Sequence, residues 1–355
     1  MKKQRKMWSR AAALTMSMAL LLSGCGGSGS DGEDAGESAS GAKKEELHIA
    51  ISANPPSLDP QSINSNIVGG IGAHVYEPLF AMNADFEPTP VLAESYEMSE
   101  DGMVYTIKLR EGVKFHNGEE MTADDVVASM NRWLEVSAKA NTLIGGSSFE
   151  KVDDYTVDLN VNQASSDIIM ILASPIQAAA IYPAEVVETA TAEGIDEYIG
   201  TGPYKVSEWK QDQYVKLEAY EDYQPSEGEG SGLAGEKQAA TGTLYFDVVT
   251  DASTRIAGVQ SGEYDIAEEI PVDNYEELSA DSNLTLNVDK GGTLNLFLDT
   301  TEGVMANQTL RQAILAALNC DDIMMAAYGN ADLYEINAGW SDPADTQVGE
   351  RMQAV

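Results

Sequence analysis

The chain is poor in the residues that usually carry chemistry. It has two cysteines, three histidines and four tryptophans in 355 residues. Two cysteines, Cys25 and Cys320, are too few for a disulfide framework or a cysteine-rich zinc site. His48, His74 and His116 have no partner at i+4 and no cysteine pair, so no zinc spacing is present. Basic residues are scarce as well: 21 Lys and Arg stand against 58 Asp and Glu, a formal net charge of −37. Without a basic patch to neutralise phosphates, nucleic acid is excluded as a partner. The acidity suits a solvated surface, with a site for cationic ligands as the functional alternative. No Gly-x-Ser-x-Gly elbow and no Walker A lysine loop occurs. Gly230, Gly232 and Gly235 have dinucleotide-fingerprint spacing, but no strand leads into them, so the match is a chance one. Glu119 with Glu120, and Asp124 with Asp125, lie near a helix start and favour its dipole rather than forming a general acid/base pair. No cofactor and no metal are expected.

Hydrophobic residues, by contrast, make up 43% of the chain, enough for a large core, and the length suits two or three domains. The N-terminus reads as a targeting device. Lys2, Lys3, Arg5, Lys6 and Arg10 form a basic region, and Ala11–Leu22 an apolar stretch too short to span a bilayer comfortably. Leu22, Ser23 and Gly24 then lead into Cys25, small residues before a cysteine that resemble the bacterial lipobox. That resemblance implies cleavage before Cys25, acylation of its thiol and new amino group, and a firm membrane anchor. An ordinary secretory signal with a chance cysteine is the alternative. Cys320 is then the one free thiol, expected to be inert and partly buried. Residues 26–41 contain no large apolar side chain and read as a disordered acidic tether.

The folded part is organised around Pro88–Trp133. Asp101 and Gly102 signal a turn between two strand-like runs. Tyr105, Ile107 and Leu109 alternate with Thr106, Lys108 and Arg110, as in a half-buried strand. Val113 and Phe115 alternate likewise, and Asn117 and Gly118 reverse the chain. His116, in that turn, reads as a structural hydrogen bonder. Thr122 with Asp125 makes a shortened capping box for a helix whose apolar face is Val126, Val127, Met130, Trp133 and Leu134.

In order and identity these residues closely resemble the signature of the family 5 extracellular solute-binding proteins, the peptide- and nickel-type receptors of ABC importers. The family pattern runs P-x-L-A-E-S, D-G, Y-T-x-x-L-R, G-V-K-F-H-x-G and T-A-x-D-V, and nearly every position is matched between Pro90 and Val126. Further elements extend the resemblance over Leu47–Asn330. Leu47–Ile51 reads as a first strand and Asn54–Pro60 as a proline-stiffened turn, with a helix over 61–80 whose end, Tyr76–Phe80, is family-like. A strand is expected at Tyr155–Leu159, a helix at Ile168–Leu172 and another starting at Ile181–Glu185, with Pro183 early in it. Gly200–Tyr204 matches the hallmark G-T-G-P-Y, a tight return to the first domain, and Tyr214–Glu218 and Leu244–Val249 read as strands around a Gly, Glu and Ser loop, Gln224–Thr241. A helix capped by Asp251 or Ser253 ends at Gly262, and the strand Glu263–Ala267 follows it. Arg255 within that helix reads as structural, bonding carbonyls or a nearby acid. Leu284–Val288 and Thr293–Asp299 are expected strands, and Leu310–Asn319 an amphipathic helix whose Arg311, Gln312, Ala313 and Ile314 match the family. Cys320 takes a place where a basic residue is usual.

The resemblance implies an α/β, two-lobed, periplasmic-binding-protein-like (class II) fold with mixed sheets. Residues 1–24 would be a lipoprotein signal peptide and 25–44 the lipidated cysteine and linker. Residues 45–78 and 200–268 would form a discontinuous first domain, 79–199 an inserted second one, and 269–355 part of the far lobe. Family members run longer, so the far lobe is expected to be incomplete, with exposed sheet edges and one cleft wall missing. The implied function is a substrate-binding lipoprotein that captures an extracellular solute by hinge closure and delivers it to ABC permease subunits. An oligo- or dipeptide stands first among the solutes, held mainly through its main chain. The protein would be a monomer at the outer face of the cell membrane or in the periplasm. Asn54, Ser57, Leu58 and Asn295 are the expected cleft-facing contacts. A ligand-sensing module, a secreted enzyme on the same scaffold and a non-functional gene fragment remain alternatives.

Overall fold

The computed structural model of the chain describes residues 44–191, 194–288 and 294–336. The expected signal peptide, the tether 26–41 and the proposed lipidation site Cys25 lie outside them. Strand β1 (Glu46–Ile51) leads through a turn to α1 (Asn66–Val75), and β2 (Phe80–Met82) pairs with β3 (Pro88–Pro90) as a short hairpin. Next come β4 (Ala93–Met98), β5 (Val104–Leu109), α2 (Ala123–Val136), α3 (Ala138–Ile144), β6 (Ser148–Asp153) and β7 (Thr156–Asn160). Two short helices, α4 (Ile168–Leu172) and α5 (Ala184–Thr189), precede the hairpin of β8 (Tyr204–Lys210) and β9 (Tyr214–Ala219). The chain then forms β10 (Thr243–Val248), α6 (Ala252–Ser261), β11 (Ile266–Ala267), α7 (Tyr275–Ser279), α8 (Gln308–Ala317) and α9 (Cys320–Tyr328).

Two sheets carry the architecture. The first has the order β11-β1-β10-β9-β8 and is mixed: β1 pairs in parallel with β10 and β11, while β9 is antiparallel to β8 and β10. Period-2 alternation turns Ile49 and Ile51, Val215 and Leu217, and Leu244 and Phe246 to one face. They form a core with Ile71 and Val75 of α1. The second sheet, β4-β5-β7-β6, is wholly antiparallel. Tyr105, Ile107 and Leu109 meet Val157 and Leu159 and bury the apolar stripe of α2, Val126, Met130 and Trp133. The cap of α2 is as its sequence indicates: the Thr122 N–H donates to Asp125 Oδ2 at 2.8 Å, and Asp125 Oδ1 accepts from the Ala184 N–H at 2.9 Å, joining α5 to the same point.

Three polar devices join these layers. Asp59, 0% exposed, receives Arg132 Nη2 at 2.6 Å and the Tyr182 hydroxyl at 2.9 Å. Arg132 Nη1 donates to Gln61 Oε1 at 2.6 Å, and Gln61 Nε2 donates to the carbonyls of Ser129 and Ala180 at 3.0 and 2.8 Å. The turn before α1 is thereby pinned to α2 and to the strand-like segment at Ala180. Second, Arg255 donates to the carbonyls of Val249, Thr250, Glu268 and Glu269, the structural role its sequence position suggests. Third, His116 Nε2 donates to Gly202 O at 3.0 Å while its Nδ1 accepts from the Gly200 N–H at 3.2 Å. That pair of bonds requires a neutral imidazole protonated on Nε2. A Cβ at Gly200 or Gly202 would collide with the backbone of His74 and Val75, so only glycine lets this return pass the end of α1.

Some expectations change. The helix before β2 covers Asn66–Val75, not 61–80. Gln61 is held in the Asp59 network, and Pro78 forces the residue before it out of helical geometry. Leu284–Val288 and Leu294–Asp299 form no strand, because among the described residues no strand lies beside either to complete a ladder. The expected Thr293 lies outside the described residues. Strand β11 shrinks to two residues. Cys320 is exposed at the start of α9 rather than partly buried, since neither α8 nor α9 contains a buried residue.

Arg132→Ala leaves a buried carboxylate without its cation and is expected to cost about 3–5 kcal/mol. In an Asp59→Ala background the same substitution should cost much less. Urea unfolding of the two single variants and the double variant reads the coupling. His116 gives a pH signature. Burial pushes its pKa down from 6.5 to about 4, with Lys205 adding to the effect and the Gly202 carbonyl opposing it. Between those values the unfolded chain binds the proton and the folded chain does not. The contribution is therefore whole above 6.5 and is lost as pH falls towards 4. It amounts to about 3 kcal/mol. Stability measured at about pH 7 and about pH 4 should fall by that much more in the parent than in His116→Gln.

Candidate functional site

A groove of about 320 Å³ runs along α1. Its floor is a stripe of the helix: Asn66, Gly69, Gly70 and Ala73, at i, i+3, i+4 and i+7. A Cβ built on Gly69 or Gly70 meets nothing within 4 Å. Nothing described in the chain therefore requires glycine there, although each costs about 0.5–1 kcal/mol in a helix interior. The helix N-terminus opens into the groove through Asn64 and Ser65, and the Ser65 side chain makes no capping hydrogen bond.

The opposite wall is Ser174–Gln177. Gln177 sits at φ 47°, a left-handed conformation that costs a non-glycine residue energy. It is held there from several sides. Its carbonyl accepts from Trp133 Nε1 at 2.7 Å, its Nε2 donates to Ser62 O at 3.1 Å, and its Oε1 accepts from the Lys139 N–H at 3.2 Å. The wall is thus anchored to α2, to α3 and to the turn before α1. Ile176, next to it, leaves 54% of its surface exposed at the groove.

A third side comes from the loop between β9 and β10, which contributes Leu233 and Lys237. One end of the groove is closed by Glu77, 0% exposed. Its two oxygens accept from the hydroxyls of Tyr223 at 2.8 Å and Thr201 at 3.0 Å, and Lys237 Nζ lies 3.9 Å away. Burial raises the Glu77 pKa above the usual carboxylate range, against the pull of Lys237 and the two hydroxyls. Chemically the groove offers apolar surface, helix N–H groups and one ammonium. Among the described residues lining it there is no histidine or cysteine, and no group of acids, histidines and cysteines in the described chain is arranged to hold a metal.

None of the four sequence-predicted contacts lines this groove. Asn54 Oδ1 accepts from the Asp212 N–H at 3.1 Å, latching the first turn to the β8–β9 hairpin. The Ser57 hydroxyl accepts from the Asp59 N–H at 3.1 Å and is buried. Leu58, 2% exposed, packs in the core under the first sheet and presents no surface to a ligand. Asn295 lies on an exposed, strand-free segment. The groove residues begin just downstream, at Pro60, Ile63 and Asn64. The sequence signal for them is the adjacent pair Gly69 and Gly70 inside a helix.

A mixed sheet and a second, antiparallel sheet in this order have their counterpart among known proteins. Residues 87–344 match the profile described as bacterial extracellular solute-binding proteins, family 5 Middle, and the chain belongs to that family. A curated relative is the glutathione-binding protein GsiB of Escherichia coli O1:K1, 29% identical over 305 residues, 84% of this chain and 55% of that protein. Among solved structures, HbpA2 from Haemophilus parasuis is 29% identical with a TM-score of 0.64, covering 79% of this chain and 58% of its own. The ABC transporter-associated periplasmic binding protein DppA from Helicobacter pylori, solved with a peptide, is 25% identical with a TM-score of 0.64, covering 80% and 58%. The fold is that of the family's periplasmic binding proteins, and the chain spans about 55% of the length of the curated relatives it matches.

Gly69→Ala and Gly70→Ala add a methyl to open space and remove backbone entropy. Each is expected to stabilise the protein by about 0.5–1 kcal/mol, read as a rise in thermal midpoint. A fall would mean that the space over α1 is filled within the chain.

Proposed function

We propose that this chain supplies the solute-facing wall of the binding protein of an ABC importer, and that its cargo is peptide-like. The observation that carries this reading is the groove itself, where a helix keeps two unfavourable glycines under open space between apolar lips. Such a floor lets an extended main chain approach closely while side chains reach the lips. Binding rather than turnover suits a groove whose carboxylate already holds two hydroxyls. Capture follows from a second lobe closing over this wall, and the closed form is what the permease subunits recognise. The division into 45–78 with 200–268, an inserted 79–199 and a far lobe from 269 is supported by the first sheet, whose strands come from both sides of the insert. Acylation at Cys25 would hold the protein, as a monomer, at the outer face of the membrane.

Native mass spectrometry of the purified full chain, incubated with a mixture of di- to hexapeptides, tests this. The expected spectrum shows one chain with one retained peptide. The denatured mass should begin at Cys25 and carry acyl groups. A chain that retains no peptide from the mixture would remove the peptide assignment. An unacylated N-terminus would remove the anchor.

A further inference from the structure

We infer that Lys237 is the anion anchor of the groove, selecting solutes in which an apolar body ends in a carboxylate. The inference rests on the groove being the solute-facing wall. Lys237 lies in the loop from Tyr220 to Gly242, which is fixed in place from several directions. Arg110 Nη2 donates to the carbonyls of Gln224 and Pro225 at 3.1 and 2.8 Å, and the Lys114 N–H donates to Gln224 Oε1 at 3.0 Å. The Ser226 hydroxyl donates to Gly235 O at 2.7 Å, and the Leu233 N–H donates to Met82 O at 2.9 Å. A Cβ at Gly232 would come within 2.6 Å of the Asn83 carbonyl carbon, so the loop backbone is seated on the β2–β3 hairpin. Leu233 and Lys237 are thereby presented to the groove on a rigid support.

Lys237 is positioned without being satisfied. At 3.9 Å from Glu77 Oε1 its ammonium is too far for a hydrogen bond, and both Glu77 oxygens already hold hydroxyls. Among the described residues no other acidic group pairs with Lys237 Nζ. Three N–H donors on a half-buried ammonium beside an apolar groove favour a carboxylate, which supplies a charge-assisted bond. Arg110, bonded to the loop carbonyls, adds a smaller pull that favours the ionised form of Glu77. The neighbouring acid Glu236 is exposed and accepts from Gln238 Nε2 at 2.8 Å. Ile176 and Leu233 leave apolar surface on the groove, and the space over Gly69 and Gly70 accepts bulk. At about 320 Å³ the groove suits a small body, near the lower limit of ligand pockets.

Two fluorescent probes test the anchor without the natural solute. Anilinonaphthalenesulfonate and its sulfonate-free parent N-phenylnaphthylamine share an apolar body and differ by the anion. Lys237→Gln is expected to weaken the sulfonate probe about tenfold, the size of a charge-assisted bond, and to leave the neutral probe unchanged. Lys237→Arg should restore most of the loss, and Gly70→Leu should weaken both probes by filling the floor. The anchor is overturned if Lys237→Gln binds the sulfonate as the parent does, or if it weakens both probes alike. It is equally overturned if the parent chain does not prefer the anionic probe. A Lys237-dependent preference in a chain that retains no peptide would keep the anchor and discard the peptide assignment. Retained peptide with no such preference would do the reverse.

Discussion

A carboxylate with no exposed surface needs a cation, and Asp59 finds one in Arg132 at 2.6 Å. The pair bridges two hydrophobic cores. Leu58, beside Asp59, belongs to the core under the first sheet, while Met130 and Trp133, beside Arg132, belong to the core under the second. Apolar packing alone is tolerant of small slips, because it has no direction. A buried ion pair with Gln61, Ser62 and Tyr182 filling the remaining lone pairs is not tolerant, since any slip leaves a desolvated charge unpaired. The turn that carries Asp59 leads straight into α1. The position of the groove floor relative to the second sheet is thus set by this pair.

The same logic recurs with the chain's few other cations. In a protein of net charge −37, acids for surface ion pairs are plentiful. Arg110 and Arg255 instead turn towards backbone carbonyls where the chain leaves regular structure. Strand exits carry carbonyls with no ladder partner, and a guanidinium with five donors satisfies several at once. Arg255 holds the exits of β10 and β11 together, and Arg110 holds the loop that carries Lys237. His116 performs the neutral version of the same task. These side chains stiffen the connections around the groove, where regular hydrogen bonding runs out.

What could be read beforehand divides along local and long-range lines. Tyr105, Ile107 and Leu109 show a clean alternation, and Thr122 with Asp125 a clean cap, because both signals lie within a few residues. Strand β6 gives no such signal: of its residues only Phe149 is buried, Val152 faces out, and a register shift between Lys151 and Asp153 breaks the alternation. The Leu294–Asp299 segment fails in the opposite sense. It alternates like a strand, yet a strand is made by its neighbour, and no described neighbour is present. Leu58 was expected in a cleft because its turn is stiff and family-like, but only the fold reveals that its side chain points into the core. Lys237 was hidden in a loop whose glycine spacing attracts attention for an unrelated reason, and three chain-distant segments meet before it lines anything.

The glycines of α1 connect these observations to function. A helix can hold Gly69 and Gly70 only because its buried face, Val68, Ile71 and Val75, supplies the packing that the glycines do not. Alanine would suit the helix better at both positions, since an added Cβ meets nothing within 4 Å in the described chain. Open space above two helical glycines is what the proposed binding surface would use. The hydrogen bonds that hold Gln177 in a left-handed conformation act to the same end, since relaxing that backbone would move the wall towards or away from the helix. Local strain and local helix cost fall on the two sides of one groove, while the ion pair and the arginine clamps lie behind it. That distribution is the one expected of a binding surface kept open at the expense of stability.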